Sequence, residues 1–175
     1  MSPLSVVIDC DPGIDDALAL LAAFQAPELA INAITVVNGN RPLSTTLRNA
    51  LQITELGQRA IPVYSGCWKP LVREPLHGQF HGEQGLGACA LPEPLSSAQD
   101  LHAVDYLIQR CRQAAAAGNP MTLGCLGPLT NIATALKMAP DIVAGIARVV
   151  LMGGAYRDNG NTSLYAEFNM LADPH

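Results

Sequence analysis

Four aspartates fall within eight residues, in the run Asp9-Cys10-Asp11-Pro12-Gly13-Ile14-Asp15-Asp16. Carboxylates crowded on one Pro-Gly turn repel one another unless a cation or hydrogen-bond donors hold them. A hard divalent ion is the natural partner. Ca²⁺ and Mg²⁺ both take carboxylate and carbonyl oxygens, and a site open to substrate, with ligands drawn from several loops, suits the larger and more tolerant Ca²⁺. Asp15 and Asp16 are adjacent at a helix start, so their side chains leave the axis roughly 100° apart. One can face a metal while the other accepts hydrogen bonds from a polyhydroxylated substrate. The plainer alternative, that either only caps the helix, suits a lone Asp better than one with Asp9 and Asp11 just upstream.

These side chains need a scaffold, and the flanking residues supply its pattern. Ser5 to Ile8 is a short β-branched run that stops at Asp9, and Ala17 to Ala26 reads as a helix opened by acidic residues. Ile31 to Val37 is a second strand, ending at Asn38-Gly39-Asn40, and Ser44 to Leu56 has helical spacing with Leu47, Leu51 and Ile53 on its apolar side. Ile61 to Tyr64 is a short third strand. Ser65 to Gln99 is rich in Gly, Pro and polar residues, and a loop that long in a compact domain is usually functional. A helix over Ala103 to Ala117 is closed by Gly118. Met121 to Leu126 then reads as a strand, Thr130 to Met138 as a helix, and Ala147 to Met152 as a strand ending at Gly153-Gly154.

Strands alternating with helices predict an α/β fold: a Rossmann-like, doubly wound, mostly parallel sheet with helices on both faces, built as one domain over residues 1–175. Such sheets bind ligands beyond the carboxyl ends of their strands. The polar features obey that rule, since Asp9 to Asp16, Asn38 to Asn40, the loop holding His81, Leu126-Gly127 and the segment from Met152 to Asn169 each follow a predicted strand.

Composition narrows the partners. A net charge of −5 with no cluster of Lys and Arg excludes a broad nucleic-acid footprint. The first basic residue is Arg41 and the apolar stretch Ala17 to Ala23 is too short to cross a bilayer, so neither a signal peptide nor a membrane anchor is expected, and a cytoplasmic protein is. Five scattered cysteines, Cys10, Cys67, Cys89, Cys111 and Cys125, predict reduced and mostly buried thiols, neither a disulfide framework nor a zinc site.

Further motifs follow the acidic turn in order: Gly39-Asn40; His81-Gly82-Glu83 with Gly85; Gly127-Pro128-Leu129-Thr130-Asn131; Met152-Gly153-Gly154; and Ala166-Glu167-Phe168-Asn169 followed by Asp173-Pro174. Together with Asp-x-Asp-Pro-Gly-x-Asp-Asp at 9–16, the sequence resembles the inosine-uridine-preferring nucleoside hydrolases. The resemblance implies Ca²⁺-dependent hydrolysis of the N-glycosidic bond of a small-molecule ribonucleoside. Asp11 would bind Ca²⁺ and act as general base toward water, Asp16 would be a second carboxylate ligand, Asp9 would support that shell, and the carbonyl of Leu126 would add a further ligand. Asp15, Asn40, Asn161, Glu167 and Asn169 would hold the ribose hydroxyls, with Met152 among the substrate-binding residues and His81 lining the nucleoside pocket. Singly, Asn40 suits a turn, Asn161 a left-handed position after Gly160, and His81 an ordinary loop. His77 matches no motif.

Asp173-Pro174-His175 closes the sequence on a helix-start signal. The resemblance implies that family members continue for roughly as many residues again, with a His-Asp pair that completes the metal shell and pocket. The chain is therefore expected to be the N-terminal part of the domain, truncated relative to the family. An unpaired sheet edge or bare apolar face would then favour self-association, and a homo-oligomer is expected. A non-enzymatic alternative is an inactive ribose- or Ca²⁺-binding remnant that needs a partner segment. A haloacid-dehalogenase-type phosphatase also places Asp-x-Asp after a first strand, but does not need Asp15-Asp16 and does not continue with Pro12-Gly13.

Overall fold

The computed structural model describes residues 2–175. Among these residues five strands, β1 (Leu4–Cys10), β2 (Leu29–Val36), β3 (Val63–Ser65), β4 (Met121–Cys125) and β5 (Ile146–Leu151), form one sheet in the order β3-β2-β1-β4-β5, every pair parallel. The helices are α1 (Ile14–Gln25), α2 (Leu43–Leu56), α3 (Ala103–Ala116), α4 (Thr130–Met138) and α5 (Phe168–Ala172), with a 3₁₀ turn at Pro140–Gly145.

The alternation of side chains along β1 builds two cores. Val6, Ile8 and Cys10 face one way and pack with Leu20 and Phe24 of α1 and Ile53 of α2. Val7 faces the other way, with Leu107 and Cys111 of α3 and Ile132 of α4. Helices thus cover both faces, as the alternating pattern predicts. The order reverses at β1, whose neighbours are β2 on one side and β4 on the other. Asp9 sits level with Thr35 of β2 and Cys125 of β4, and Cys125 level with Leu151 of β5, so four carboxyl ends are aligned. The ladder runs on past them: Leu126 N–H donates to the Asp9 carbonyl and Met152 N–H to that of Cys125.

Several bounds differ from the sequence expectation. β1 continues through Asp9 and Cys10, which places the Asp9 carboxylate inside the sheet rather than after it, at 1% exposure. α1 begins at Ile14 rather than Ala17, so Asp15 and Asp16 lie in its first turn. The short α5 and the 3₁₀ turn are too brief to show a period and were not expected. β5 has the sequence of a buried strand, yet Val149, Val150 and Leu151 are 41%, 54% and 46% exposed, which leaves the strand bare on both faces. Three of the five free cysteines are buried; Cys67 is half-buried and Cys89 exposed. Among the described residues, no helix is long and apolar enough to cross a membrane.

Candidate functional site

The turn from β1 into α1 carries Asp11 into the crevice between the β2 and β4 ends. Its carboxylate is fully buried and held on one side only: Oδ2 accepts the Asn40 backbone N–H at 2.6 Å, while Oδ1 has no partner. Glycines flank it. A Cβ on Gly127 would stand 2.5 Å from Asp11 Oδ1, and one on Gly39 would collide with Oδ2, so the carboxylate lies between two backbones that no larger residue could supply.

Asp16 reaches back from the first turn of α1, where its Oδ2 accepts the Gly13 N–H at 3.2 Å and the Asn40 side-chain amide at 3.4 Å. The capping alternative is therefore realised on one oxygen, and the other, Oδ1, is buried without a partner. Asn40 bridges the two acids, its amide also donating to the Asp11 carbonyl at 3.2 Å. Beneath them Asp9 Oδ2 accepts from the Thr35 hydroxyl at 2.5 Å and the Asn131 amide at 2.8 Å, and again Oδ1 is unpaired.

Burial governs how these acids titrate. Desolvation lifts Asp9 from 3.8 to about 7 against the pull of Thr35 and Asn131. Asp11 is raised well above the carboxylate range by burial and then by repulsion from Asp16, with the Asn40 amide opposing. Burial and the charge of Asp15 bring Asp16 to about 6. Each of the three acids thus keeps one buried oxygen without a donor on a group that resists ionisation, and oxygens of this kind are what a hard cation takes. Among the described residues no three His, Cys, Asp or Glu side chains are gathered closely enough to enclose an ion unaided. A cation here would need carbonyl and outside oxygens as well.

The cleft above is lined by Asp15, Asp16, Asn40 and His81 on one side and by Leu126, Met152, Asn161, Glu167 and Asn169 on the other. Every substrate-binding residue expected from the sequence is thus brought to one cavity, whereas Asp11 and Asp9 lie below its surface. Asp15 projects into solvent, its Oδ1 3.9 Å from His81 Nδ1, and that nitrogen accepts the Ile14 N–H at 3.2 Å. The Asn169 amide ties the Leu126 carbonyl, at 2.7 Å, to that of Met152, at 3.1 Å. Glu167 caps α5: Oε1 accepts from Asn169 N–H, and Oε2 from Met170 and Gly154 N–H. Asn161 is not left-handed; its Oδ1 accepts the Phe168 N–H at 2.8 Å.

A family model described as inosine-uridine preferring nucleoside hydrolase matches residues 6–175. The chain belongs to the inosine-uridine preferring nucleoside hydrolase family. It is 43% identical over 173 residues to the pyrimidine-specific ribonucleoside hydrolase RihA of Klebsiella pneumoniae, a match covering 98% of this chain and 54% of that one. Among solved structures, the purine-preferring ribonucleoside hydrolase from Gardnerella vaginalis superposes with a TM-score of 0.90 at 34% identity, over 97% of this chain and 55% of that one. A plant nucleoside hydrolase gives 0.88 at 36% identity, over 99% and 55%. The chain spans about half the length of the relatives it matches.

Several residues that build the site are not among those the sequence singles out for it. Phe80, Thr162 and Phe168 also line the cleft. Asn49 of α2, itself buried, donates to the Pro12 carbonyl at 3.0 Å and the Gln84 carbonyl at 2.9 Å, which fastens the His81 loop to the acidic turn. Little in the sequence signals it, because its neighbours on the helix face, Thr45, Thr46, Gln52 and Ile53, are mostly polar as well. Asp173, read as a helix start, accepts from the Thr130 hydroxyl and Leu71 N–H and locks the end of α5 onto α4.

Proposed function

We propose that this chain carries the cation and ribose part of a Ca²⁺-dependent ribonucleoside hydrolase site, acting on the N-glycosidic bond. The observation that carries the reading is the set of three orphaned oxygens, on Asp9, Asp11 and Asp16, beneath a cleft lined with groups that suit ribose hydroxyls. Asp11 Oδ1, Asp16 Oδ1 and the Leu126 carbonyl would hold the ion, with Asp9 behind them. Bound Ca²⁺ supplies positive charge that makes a neighbouring water easier to deprotonate.

The chain's own residues account for the remaining chemistry. Asp11 takes the proton from the attacking water, whose oxygen bonds to the anomeric carbon as the C–N bond breaks and its electron pair leaves with the base. Burial, which keeps Asp11 a reluctant anion, makes it an eager proton acceptor once positive charge has ionised it. Asp15 and Asn40 orient the sugar from one wall and Asn161 and Asn169 from the other. The acidic floor stabilises the positive charge that develops on the ribose ring.

The test is calorimetric titration of the chain with Ca²⁺, followed by assay of base release from inosine and uridine. Asp11→Ala is expected to abolish both Ca²⁺ binding and turnover, whereas Asp15→Ala should retain Ca²⁺ and raise KM. Where wild type turns substrate over, in this chain or in a full-length version, equal turnover by Asp11→Ala would refute the base assignment. The bare β5 favours a second reading, a ribose- and Ca²⁺-binding unit that gains activity only with a complementary segment. Ca²⁺ binding without base release would select it.

A further inference from the structure

His77 fits none of the sequence motifs, yet it is half-buried against the turn that follows β2, with Nδ1 3.1 Å from the Gly39 carbonyl oxygen. A carbonyl only accepts, so Nδ1 carries the proton and donates. The Gly39 C=O and the Asn40 N–H are the two ends of one planar peptide group. At the far end, that N–H donates to Asp11 Oδ2 at 2.6 Å. One peptide is therefore gripped on both sides, by an imidazole at its oxygen and a buried carboxylate at its nitrogen. The next residue repeats the grip, with Gly78 N–H donating to the Asn40 carbonyl at 3.1 Å.

This grip answers a weakness of the site. Residue 39 has to be glycine, because a Cβ would collide with Asp11 Oδ2. Glycine also lets its peptide turn over more readily than any other residue does. The turned-over peptide would aim a carbonyl oxygen, not an N–H, at the Asp11 carboxylate. A donor on the Gly39 oxygen opposes that turn and, by polarising the amide, strengthens the bond at its other end.

We propose that His77 is a positioning residue for Asp11: it holds the Gly39–Asn40 peptide in one orientation, which commits Oδ2 to the protein and leaves Oδ1 for a cation. The part concerning the cation rests on the Ca²⁺ reading above; the part concerning the peptide does not.

The whole chain is compared as wild type, His77→Phe, which keeps a ring but no donor, and His77→Asn, which restores an N–H near the position of Nδ1. The Asn40 amide is followed by NMR in metal-free protein, by proton shift and hydrogen exchange, and Ca²⁺ alone is titrated by calorimetry. In His77→Phe the Asn40 amide is expected to move upfield and exchange at least about tenfold faster, and the Ca²⁺ dissociation constant to rise about tenfold, the usual scale for losing a partner behind a metal ligand. His77→Asn should recover both. An unchanged Asn40 amide in His77→Phe overturns the proposal. So does a loss that His77→Asn fails to recover, which marks a packing role only. Should wild type bind no Ca²⁺, the metal reading falls, and the Asn40 amide still decides for or against His77.

Discussion

A carboxyl group inside a sheet prefers to keep its proton, and Asp9 makes that preference measurable. Unfolded, it titrates near 3.8; folded, burial raises it to about 7. The folded chain therefore holds the extra proton across that interval, and the stability Asp9 contributes is fully present below the unfolded value and lost as pH rises through about 7. Asp16 acts the same way up to about 6. Thermal melts of the metal-free chain should fall between about pH 5 and about pH 8, and Asp9→Asn should flatten the profile. A wild-type profile as flat as that of the variant contradicts the assignment. Gly127→Ala tests the wall beside Asp11: a Cβ 2.5 Å from Oδ1 should cost about 1–3 kcal/mol in a chemical melt and weaken Ca²⁺ binding in a titration. The acids were legible because their types and spacing sit in one short run, and Gly39 and Gly127 because each stands in a motif that follows a strand. The contacts of Thr35 and Asn131 with Asp9 were not: Asn131 stands in one of those motifs, but it meets Asp9 across 122 positions and nothing near either residue announces the contact.

Among the elements, strands and helices followed from periodicity wherever they ran for more than a turn or two. α5 escaped because five residues cannot display a period, and what starts it is a side chain, the Glu167 carboxylate on the Asn169 and Met170 amides. That contact separates two roles for Glu167. Replacing a cap costs about 1 kcal/mol, so Glu167→Ala should lower the melting temperature and speed hydrogen exchange across 168–172. A Glu167→Ala variant with unchanged exchange in α5 but impaired ribose binding would show that the carboxylate serves the sugar alone. The ends of elements were the least legible, as β1 shows. The run Ser5 to Ile8 is apolar enough to name the strand, but the ladder carries two more residues because Thr35 and Val36 of β2 lie level with Asp9 and Cys10.

At the scale of the molecule, a parallel sheet with helices on both faces follows from the alternation of strands and helices, whereas the order β3-β2-β1-β4-β5, which places the acids at the reversal beside β1, does not. Nor does the burial of the outermost strand. Ile146–Leu151 reads as an interior strand, and whether anything covers it is decided outside its own residues. An open edge with apolar side chains on both faces is a template for another chain. Wild type should sediment as a concentration-dependent mixture, and Val150→Lys should shift it toward monomer; a wild type that stays monomeric at high concentration refutes this. Association also changes what a melting temperature means. If copies meet through β5, folding is coupled to mass action, so the midpoint climbs with the logarithm of protein concentration. Dilution alone would then unfold a chain whose every internal contact is unchanged.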